Sequence, residues 1–494
     1  MKKLLFTLVG LALILTSCTK EESVMTADGL TLANSNGTGF VGGIDPNNEQ
    51  YNTIVENPFV DVADEPTSTF SIDADGGSYS NVRRFLNDGQ LPPVDAIRTE
   101  ELLNYFTLDY PGPTTADPIG LNGEVSACPW DAGHKLVRIG IKGAEISKED
   151  MPNANFVLLV DVSGSMSSEN KLPLLRDVFK MFADELRAQD RVAIVTYAGQ
   201  SEVVLPSTSG TDKSTIKAAI DQLGAGGGTA GAQGILTAYD IAQQYYIEGG
   251  NNRIILATDG DFNIGVSSRD DLVDLIKDKR DEGVFLTAIG VGTGNLNDAM
   301  MERVANNGNG NYEYMDSYSE GVKILSHEYT KLLTVAQDVK VQVTFNANNV
   351  ESYRLIGYEN RLLENHEFED DSTDAGEIGA NQTITALYEI VPTSVASKDY
   401  PTFEIDFRYK LPLASTSNPM SLQVYDEDYS FTQASENMRF AAGVAGFGLI
   451  LRDSDYKGNW TYDDVLETVG NASTFDPNGY RSELHTLVAI ARGL

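Results

Sequence analysis

The chain has 494 residues, which at about 150 residues per domain corresponds to roughly three domains. Apolar residues make up 41% and charged residues 22%, an ordinary globular composition that excludes a mainly disordered, collagenous or coiled-coil protein. The excess of 72 Asp and Glu over 36 Lys and Arg gives a formal net charge of −36, so polyanions are repelled and no nucleic-acid partner is expected.

The first eighteen residues have the features of an export signal. Lys2 and Lys3 precede a mostly apolar run, Leu4 to Leu15, which is shorter than the roughly 20 residues that span a bilayer. The run ends in Leu-Thr-Ser-Cys18, which resembles a bacterial lipobox and implies cleavage before Cys18 and lipidation of that residue. Lys20-Glu21-Glu22 is similar to the surface-export signal of Bacteroidota lipoproteins. We therefore expect a lipid anchor in the cell envelope, in the outer membrane, with surface and periplasmic orientations both open.

The segments before the centre of the chain differ in composition. Residues 18–65 are rich in Gly, Asn, Ser and Thr and predict a flexible tether. In residues 66–150, helical spacing between Ser80 and Phe106 is interrupted by Gly and Pro, and alternation over Leu136 to Lys142 indicates a strand. This pattern predicts an α+β N-terminal module.

The rhythm changes to alternating strands and helices from Phe156 onwards. Phe156 to Val160 is a continuous apolar run, typical of a strand buried on both faces of a parallel sheet, and Leu172 to Arg187 has the spacing of an amphipathic helix. Repeated units of this kind over residues 151–333 predict an α/β domain with a doubly wound, mostly parallel sheet. Ligands of such sheets bind beyond the carboxyl ends of the strands.

The last part of the chain, residues 334–494, predicts a β-sheet followed by helices. Alternating residues from Val339 to Phe345, and further runs to Tyr409, indicate one antiparallel sheet with a turn at Asn346 to Asn349. Three helical segments follow, at 437–452, 462–469 and 481–492.

Oxygen donors follow the predicted strands of the central domain at three places. Asp161, Ser163 and Ser165 come directly after the first buried strand, Thr229 begins a helix after a glycine-rich loop, and Asp259 follows the third buried strand. All three segments are predicted at the same edge of the sheet. Carboxylate, hydroxyl and water oxygens are the ligands that a hard cation such as Mg²⁺ prefers.

These residues resemble the von Willebrand factor type A (VWA) domain and its metal-ion-dependent adhesion site, whose pattern is Asp-x-Ser-x-Ser with a later Thr and a later Asp. The resemblance assigns Asp161, Ser163, Ser165, Thr229 and Asp259 to a site for Mg²⁺, Ca²⁺ or Mn²⁺. It implies that the hydroxyls contact the metal directly, that the Asp residues often act through water, and that a partner's carboxylate completes the shell. The sequences around 81–86, 128–130, 354–359 and 440–442 are similar to the flanking modules of a bacterial subgroup of these proteins.

Two other features of the sequence give weaker evidence about function. Cys128, beside Pro129 and Trp130, is interpreted as a small buried apolar residue. Asp73-Ala74-Asp75 resembles half of a calcium loop, but Arg84 stands where an EF-hand has its bidentate Glu, so we expect no metal there.

The sequence as a whole predicts a lipoprotein that captures an acidic residue of a partner protein through a metal ion. No catalytic residue is predicted, and no enzymatic activity is expected. Two alternatives stay open: a structural envelope protein that uses the central domain as a spacer, and an envelope hydrolase whose site the sequence does not reveal. The main interpretation would be refuted if the five donors lay apart, or if a basic side chain filled the metal pocket.

Overall fold

The computed structural model of the protein describes residues 43–44, 49–114, 116–227, 231–260 and 269–494. The predicted signal segment and Cys18 lie outside these residues. The first elements in chain order are β1 (Gly43–Ile44), β2 (Gln50–Tyr51), β3 (Val60–Asp61), β4 (Thr67–Ser71), α1 (Gly77–Asn87), α2 (Thr99–Asn104), β5 (Ile119–Ala127) and β6 (Lys135–Gly143).

Part of the predicted tether belongs to the folded protein. Within residues 49–65 the chain forms β2 and β3, and the side chains of Tyr51 and Val62 are buried. Because most residues of this segment are polar, its composition did not indicate that these two side chains pack into the folded protein.

The central domain, residues 151–333, alternates strands and helices as predicted. Its elements are β7 (Ala154–Asp161), α3 (Leu172–Glu185), β8 (Arg191–Tyr197), β9 (Ser201–Ser209), α4 (Lys213–Asp221), α5 (Gly231–Gln244), β10 (Asn251–Thr258), α6 (Arg269–Asp281), β11 (Phe285–Val291), α7 (Asp298–Asn307), β12 (Tyr312–Met315) and α8 (Tyr318–Val322).

The strands of the central domain form one six-stranded sheet in the order β12-β11-β10-β7-β8-β9. All neighbours in it are parallel except β9, which is the antiparallel edge strand beside β8. Alternate residues of β7 enter two different cores: Phe156 and Leu158 pack on one face of the sheet, Val157 and Leu159 on the other. This double burial explains the continuous apolar run and confirms the predicted doubly wound fold.

The C-terminal part completes the chain with strands and helices. The strands and helices are β13 (Thr334–Phe345), β14 (Val350–Ile356), β15 (Gly376–Gly379), β16 (Thr383–Pro392), β17 (Phe403–Lys410), β18 (Asn418–Val424), α9 (Glu436–Leu451), α10 (Tyr462–Gly470) and α11 (Tyr480–Gly493). In the part of the chain that the structure describes, no helix has the length and apolar character needed to cross a membrane.

The prediction of one antiparallel sheet in the C-terminal part is wrong. Strands β13 and β14, although joined by the short turn at 346–349, lie in different five-stranded sheets. One sheet has the order β15-β13-β17-β18 with β4 also paired to β13, and the other has the order β3-β14-β16-β6-β5. Each sheet therefore combines strands from both sides of the central domain.

Residues 49–143 and 334–494 together form what we call the flanking body. Apolar side chains of its two sheets share one core, in which Phe345 stacks on Tyr353 with ring centroids 4.3 Å apart. A second core joins α1 and α2 to α9, α10 and α11, and includes Cys128 and Trp130. Cys128 is buried as predicted, and burial raises the pKa of its thiol to about 12.

The chain leaves the flanking body and returns to it at neighbouring points. A Cβ atom at Gly143 would lie 3.4 Å from Cγ2 of Val335. Asn381 bridges the two crossings, because its Oδ1 accepts from the backbone N–H of Ile146 at 3.2 Å and its Nδ2 donates to Oγ1 of Thr330 at 2.9 Å. The central domain is therefore inserted into the flanking body.

Candidate metal centre

The predicted donor loops lie at one edge of the central sheet. Strands β7 and β10 are parallel neighbours, with Val160 opposite Ala257, so Asp161 and Asp259 follow at adjacent strand ends. The glycine-rich loop reaches the same edge, because the N–H of Gly226 donates to the carbonyl of Val162 at 2.7 Å. Thr229, the predicted donor further along that loop, lies outside the described residues.

Two hydroxyl groups face each other at this edge. Oγ of Ser163 and Oγ of Ser165 are 3.0 Å apart; Ser163 is buried and Ser165 is exposed. Neighbouring ligands of an octahedral Mg²⁺ with bonds of 2.0–2.1 Å are about 2.8–3.0 Å apart. The hydroxyl pair thus has the separation of two adjacent Mg²⁺ ligands, and the donor set fits the predicted ion.

Asp161 is completely buried and ties the two strand ends together. Its Oδ1 accepts from the backbone N–H of Ser163 at 2.8 Å, and its Oδ2 accepts from Oγ1 of Thr258 at 2.9 Å. Burial raises the pKa of the Asp161 carboxyl, and the hydrogen bonds from Ser163 and Thr258 oppose that increase. The bond from Thr258 fixes the Asp161 carboxylate, and the bond from the Ser163 N–H orients the loop that carries the hydroxyl pair.

Asp259 is paired with a lysine that the sequence analysis did not identify. Nζ of Lys171, at the start of α3, donates to Oδ2 of Asp259 at 3.0 Å and to Oδ1 of Asn295 at 2.8 Å. The lysine stem passes closely under Gly292, where a Cβ atom would lie 2.3 Å from Cε of Lys171. Burial acts to raise the pKa of Asp259, but the hydrogen bonds from Asn295, Ser165 and Lys171 outweigh it and hold the pKa below its usual value.

Lys171 changes the charge of the site and does not bond to the hydroxyl pair. The two carboxylates of Asp161 and Asp259 and the Lys171 ammonium together carry one net negative charge. A divalent cation at Ser163 and Ser165 would therefore keep a surplus positive charge for a further anionic ligand. A lysine at the start of a helix usually extends into solvent. The effect of Lys171 on the charge of the site is therefore evident only from its contact with Asp259, 88 residues further along the chain.

The structure brings four of the five predicted residues to one edge of the sheet. These are Asp161, Ser163, Ser165 and Asp259; Thr229 and the predicted lipidation site Cys18 lie outside the described part of the chain. The roles of all five as metal ligands stay predictions.

The parallel sheet and its strand-end loops agree with comparisons to known protein families. The family model described as "von Willebrand factor type A domain" matches residues 155–327, "von Willebrand factor" matches residues 45–138, and "YfbK, C-terminal" matches residues 330–494. The protein is therefore of the VWA class, and such a domain suggests a role in protein interaction or scaffolding.

Three similar proteins assign the chain more narrowly within this class. The chain is 41% identical over 474 residues to the YfbK protein of Escherichia coli K12, covering 91% of this chain and 82% of the relative. The chain belongs to the YfbK family. It is also 30% identical over 155 residues to the magnesium-chelatase 67 kDa subunit of Chlorobaculum tepidum, covering 28% of this chain and 25% of that one. A solved von Willebrand factor type A structure from Catenulispora acidiphila aligns with 77% of this chain and 88% of its own at 16% identity, with a TM-score of 0.42.

Proposed function

We propose that this protein is a lipid-anchored envelope protein that binds a partner protein through a divalent metal ion at Asp161, Ser163, Ser165, Thr229 and Asp259. The ion is Mg²⁺, Ca²⁺ or Mn²⁺, and the partner contributes a carboxylate. The observation that carries the proposal is the pair of serine hydroxyls, 3.0 Å apart at the end of β7.

Each described residue has a distinct task in this proposal. Ser163 and Ser165 supply neutral donors, Asp161 orients them through the Ser163 N–H, and Lys171 offsets the charge of Asp259. A bound divalent ion would supply an electrophilic position for the partner's carboxylate. Exposure of Ser165 favours access from solvent.

An acidic protein can capture an acidic side chain in this way because the attraction is local. The chain carries a formal net charge of −36, but at physiological salt the Debye length is about 8 Å. Repulsion from distant carboxylates is therefore screened, whereas the ion and its ligand are in contact. In this proposal the protein binds and does not catalyse.

The test is capture of envelope proteins by the full chain with Mg²⁺ and with EDTA. Ser165→Ala is the test variant, and Ser167→Ala, an exposed serine in the same loop and outside the Asp-x-Ser-x-Ser pattern, is its matched control. We expect wild type and Ser167→Ala to retain the same crosslinked partner in Mg²⁺ and to lose it in EDTA, and Ser165→Ala to lose it in both. Equal capture by all three proteins in EDTA would favour the spacer alternative, and turnover of a glycan substrate would favour the hydrolase.

The lipid anchor has its own test. We expect the natural chain to incorporate labelled palmitate and to fractionate with the outer membrane, and Cys18→Ser to do neither. Protease treatment of intact cells then distinguishes surface exposure from a periplasmic orientation.

A further inference from the structure

A second group of oxygen ligands lies where the loop after β4 meets helix α2. Asp73, Asp75 and Glu101 are all buried, and each offers a carboxylate oxygen within 4.8 Å of the other two. Oxygens bound to Ca²⁺ at 2.3–2.6 Å can be up to about 4.6–5.2 Å apart on opposite sides of the ion. The spacing of the three carboxylates is therefore suitable for an ion of this size.

One oxygen of this group has no hydrogen-bond donor. Asp75 is 3% exposed, and its Oδ1 accepts from the backbone N–H of Tyr312 at 2.8 Å, whereas its Oδ2 accepts no hydrogen bond. Nη2 of Arg361 lies 3.6 Å from Oδ2, which is an ionic contact beyond hydrogen-bond length. A buried carboxylate oxygen left in this state carries a desolvation penalty that a bound cation would relieve.

The surroundings carry an excess of negative charge. Two arginines, the buried Arg98 and the partly buried Arg361, form ion pairs with five buried carboxylates: Arg98 with Glu101 and Asp298, and Arg361 with Asp73, Asp75 and Glu302. With every group ionised, this network has three more negative than positive charges. A divalent cation would remove most of that excess.

Hydrogen bonds already hold the other two carboxylates in position. Oδ1 of Asp73 accepts from the N–H of Asp75 at 2.9 Å, and Oε2 of Glu101 accepts from the N–H of Ser78 at 2.7 Å. Oε2 of Glu101 also accepts from Nη2 of Arg98 at 3.2 Å, whereas Oε1 accepts one hydrogen bond, from Nε of Arg98. Since a carboxylate oxygen has two lone pairs, Oδ1 of Asp73 and Oε1 of Glu101 can each still bind an ion.

A cleft of about 270 Å³ lies beside the ion-pair network around the three carboxylates and is lined by two of its members, Arg98 and Glu302. Its walls include Ile54, Val55, Arg98, Glu100, Glu302 and Glu359. Oε2 of Glu100 and Oε2 of Glu302 are buried without a hydrogen-bond partner, and Arg98 connects the cleft to Glu101.

We propose that Asp73, Asp75 and Glu101 bind a divalent cation of the size of Ca²⁺, at a site separate from the predicted ion at Ser163 and Ser165. The sequence argued against a calcium loop here because Arg84 occupies its twelfth position, but Glu101 of α2 supplies the third carboxylate instead. The ion fastens the central domain to the flanking body, since Asp75 bonds to the backbone of β12 and Arg98 bonds to Asp298 of α7.

The test is a calorimetric Ca²⁺ titration of the full chain with Ser163→Ala and Ser165→Ala, which removes the hydroxyl pair of the other site. We expect this double variant to bind one Ca²⁺ per chain and to melt at a higher temperature in Ca²⁺ than in EDTA. Adding Asp75→Asn should weaken Ca²⁺ binding at least about tenfold, because changes in the shell around metal ligands alone cost about 10–100-fold. Adding Asp88→Asn, at an exposed Asp beyond α1, should leave Ca²⁺ affinity unchanged.

Two results would overturn the proposal. One is a folded double variant that binds no Ca²⁺. This variant keeps all three carboxylates, so the result is valid even if Asp75→Asn does not fold. The other is an Asp75→Asn protein that folds and binds Ca²⁺ as tightly as its parent. A parallel Mg²⁺ titration reports ion size. Partner capture is not measured here, so failure of this site and failure of the proposed function are distinguishable.

Discussion

We expect Ser165→Ala to remove most of the stabilisation that Mg²⁺ gives while leaving the metal-free protein folded. In EDTA the change removes one exposed hydroxyl, which is bonded to Oγ of Ser163 at 3.0 Å and to the buried Asp259 carboxylate, so the free energy of unfolding should fall by about 1–3 kcal/mol. In Mg²⁺ at 100 times its Kd, the wild-type protein should gain about 2.7 kcal/mol, because the ion binds only the folded state. For a cooperative unit of about 150–250 residues this is a rise in Tm of roughly 5–11 °C.

Differential scanning calorimetry with and without Mg²⁺ measures this rise. Each tenfold loss of affinity lowers the gain by about 1.4 kcal/mol, so a hundredfold loss leaves almost none at the same Mg²⁺ concentration. Ser167→Ala, in the same loop, should keep the wild-type rise. An equal Mg²⁺-dependent rise in wild type and Ser165→Ala would refute the argument that this hydroxyl is a metal ligand.

Three further predictions follow from other contacts. Lys171→Met leaves the buried Asp259 carboxylate without its cation, so unfolding free energy in EDTA, measured by denaturant titration, should fall by about 3–5 kcal/mol while Mg²⁺ affinity rises. Burial raises the pKa of the Cys128 thiol to about 12, so only about one part in 10⁴ of this thiol should be thiolate at pH 8. In a Cys18→Ser protein, Cys128 should therefore react with a thiol reagent only on unfolding. Rapid labelling of the native protein would contradict this prediction. Replacing residues 147–329 by a short Gly-Ser linker should leave a flanking body that still melts cooperatively, and a gradual, non-cooperative melt would show that the inserted domain is needed for its fold.

The central domain could be predicted in detail because its signals are local. The continuous apolar run from Phe156 to Val160 follows directly from burial of both faces of β7, and the predicted helix from Leu172 agrees closely with α3. The positions of Asp161 and Asp259 also follow from topology, since parallel neighbouring strands end at the same edge. These inferences need no knowledge of distant partners.

The sheets of the flanking body could not be predicted in the same way. Alternation in β13 identifies which side chains face a core, but it does not identify the neighbouring strand. The partner on one side of β13 is β4, with Val341 opposite Phe70 some 270 residues earlier in the chain. A short turn after Phe345 therefore indicated a hairpin, whereas the chain crosses there from one sheet to the other.

Two charged residues at the proposed sites could not be predicted from the sequence for the same reason. Lys171 and Glu101 lie at helix positions where charged side chains normally extend into water, and nothing in the adjacent sequence distinguishes them. Each is instead fixed by a distant element: Lys171 by Asp259, and Glu101 by the N–H of Ser78. Sequence spacing thus identifies site residues that share one loop, but it does not identify residues that reach the site from distant parts of the chain.

The insertion of the central domain also decides how the spacer alternative can be tested. Deleting residues 66–150 or 334–494 removes strands from both sheets of the flanking body, because β4 pairs with β13 and β6 pairs with β16. A loss of function after such a deletion would therefore report unfolding, not the role of a separate module. Excision of the inserted domain keeps every strand pair of the two flanking sheets. It also removes Asp316, the partner of Arg83, and Asp298, the partner of Arg98, and so exposes both arginines to solvent. Both arginines then regain water, so the cost of losing their partners is smaller than that of a stranded buried charge. A flanking body that folds after excision but captures no partner would assign binding to the central domain.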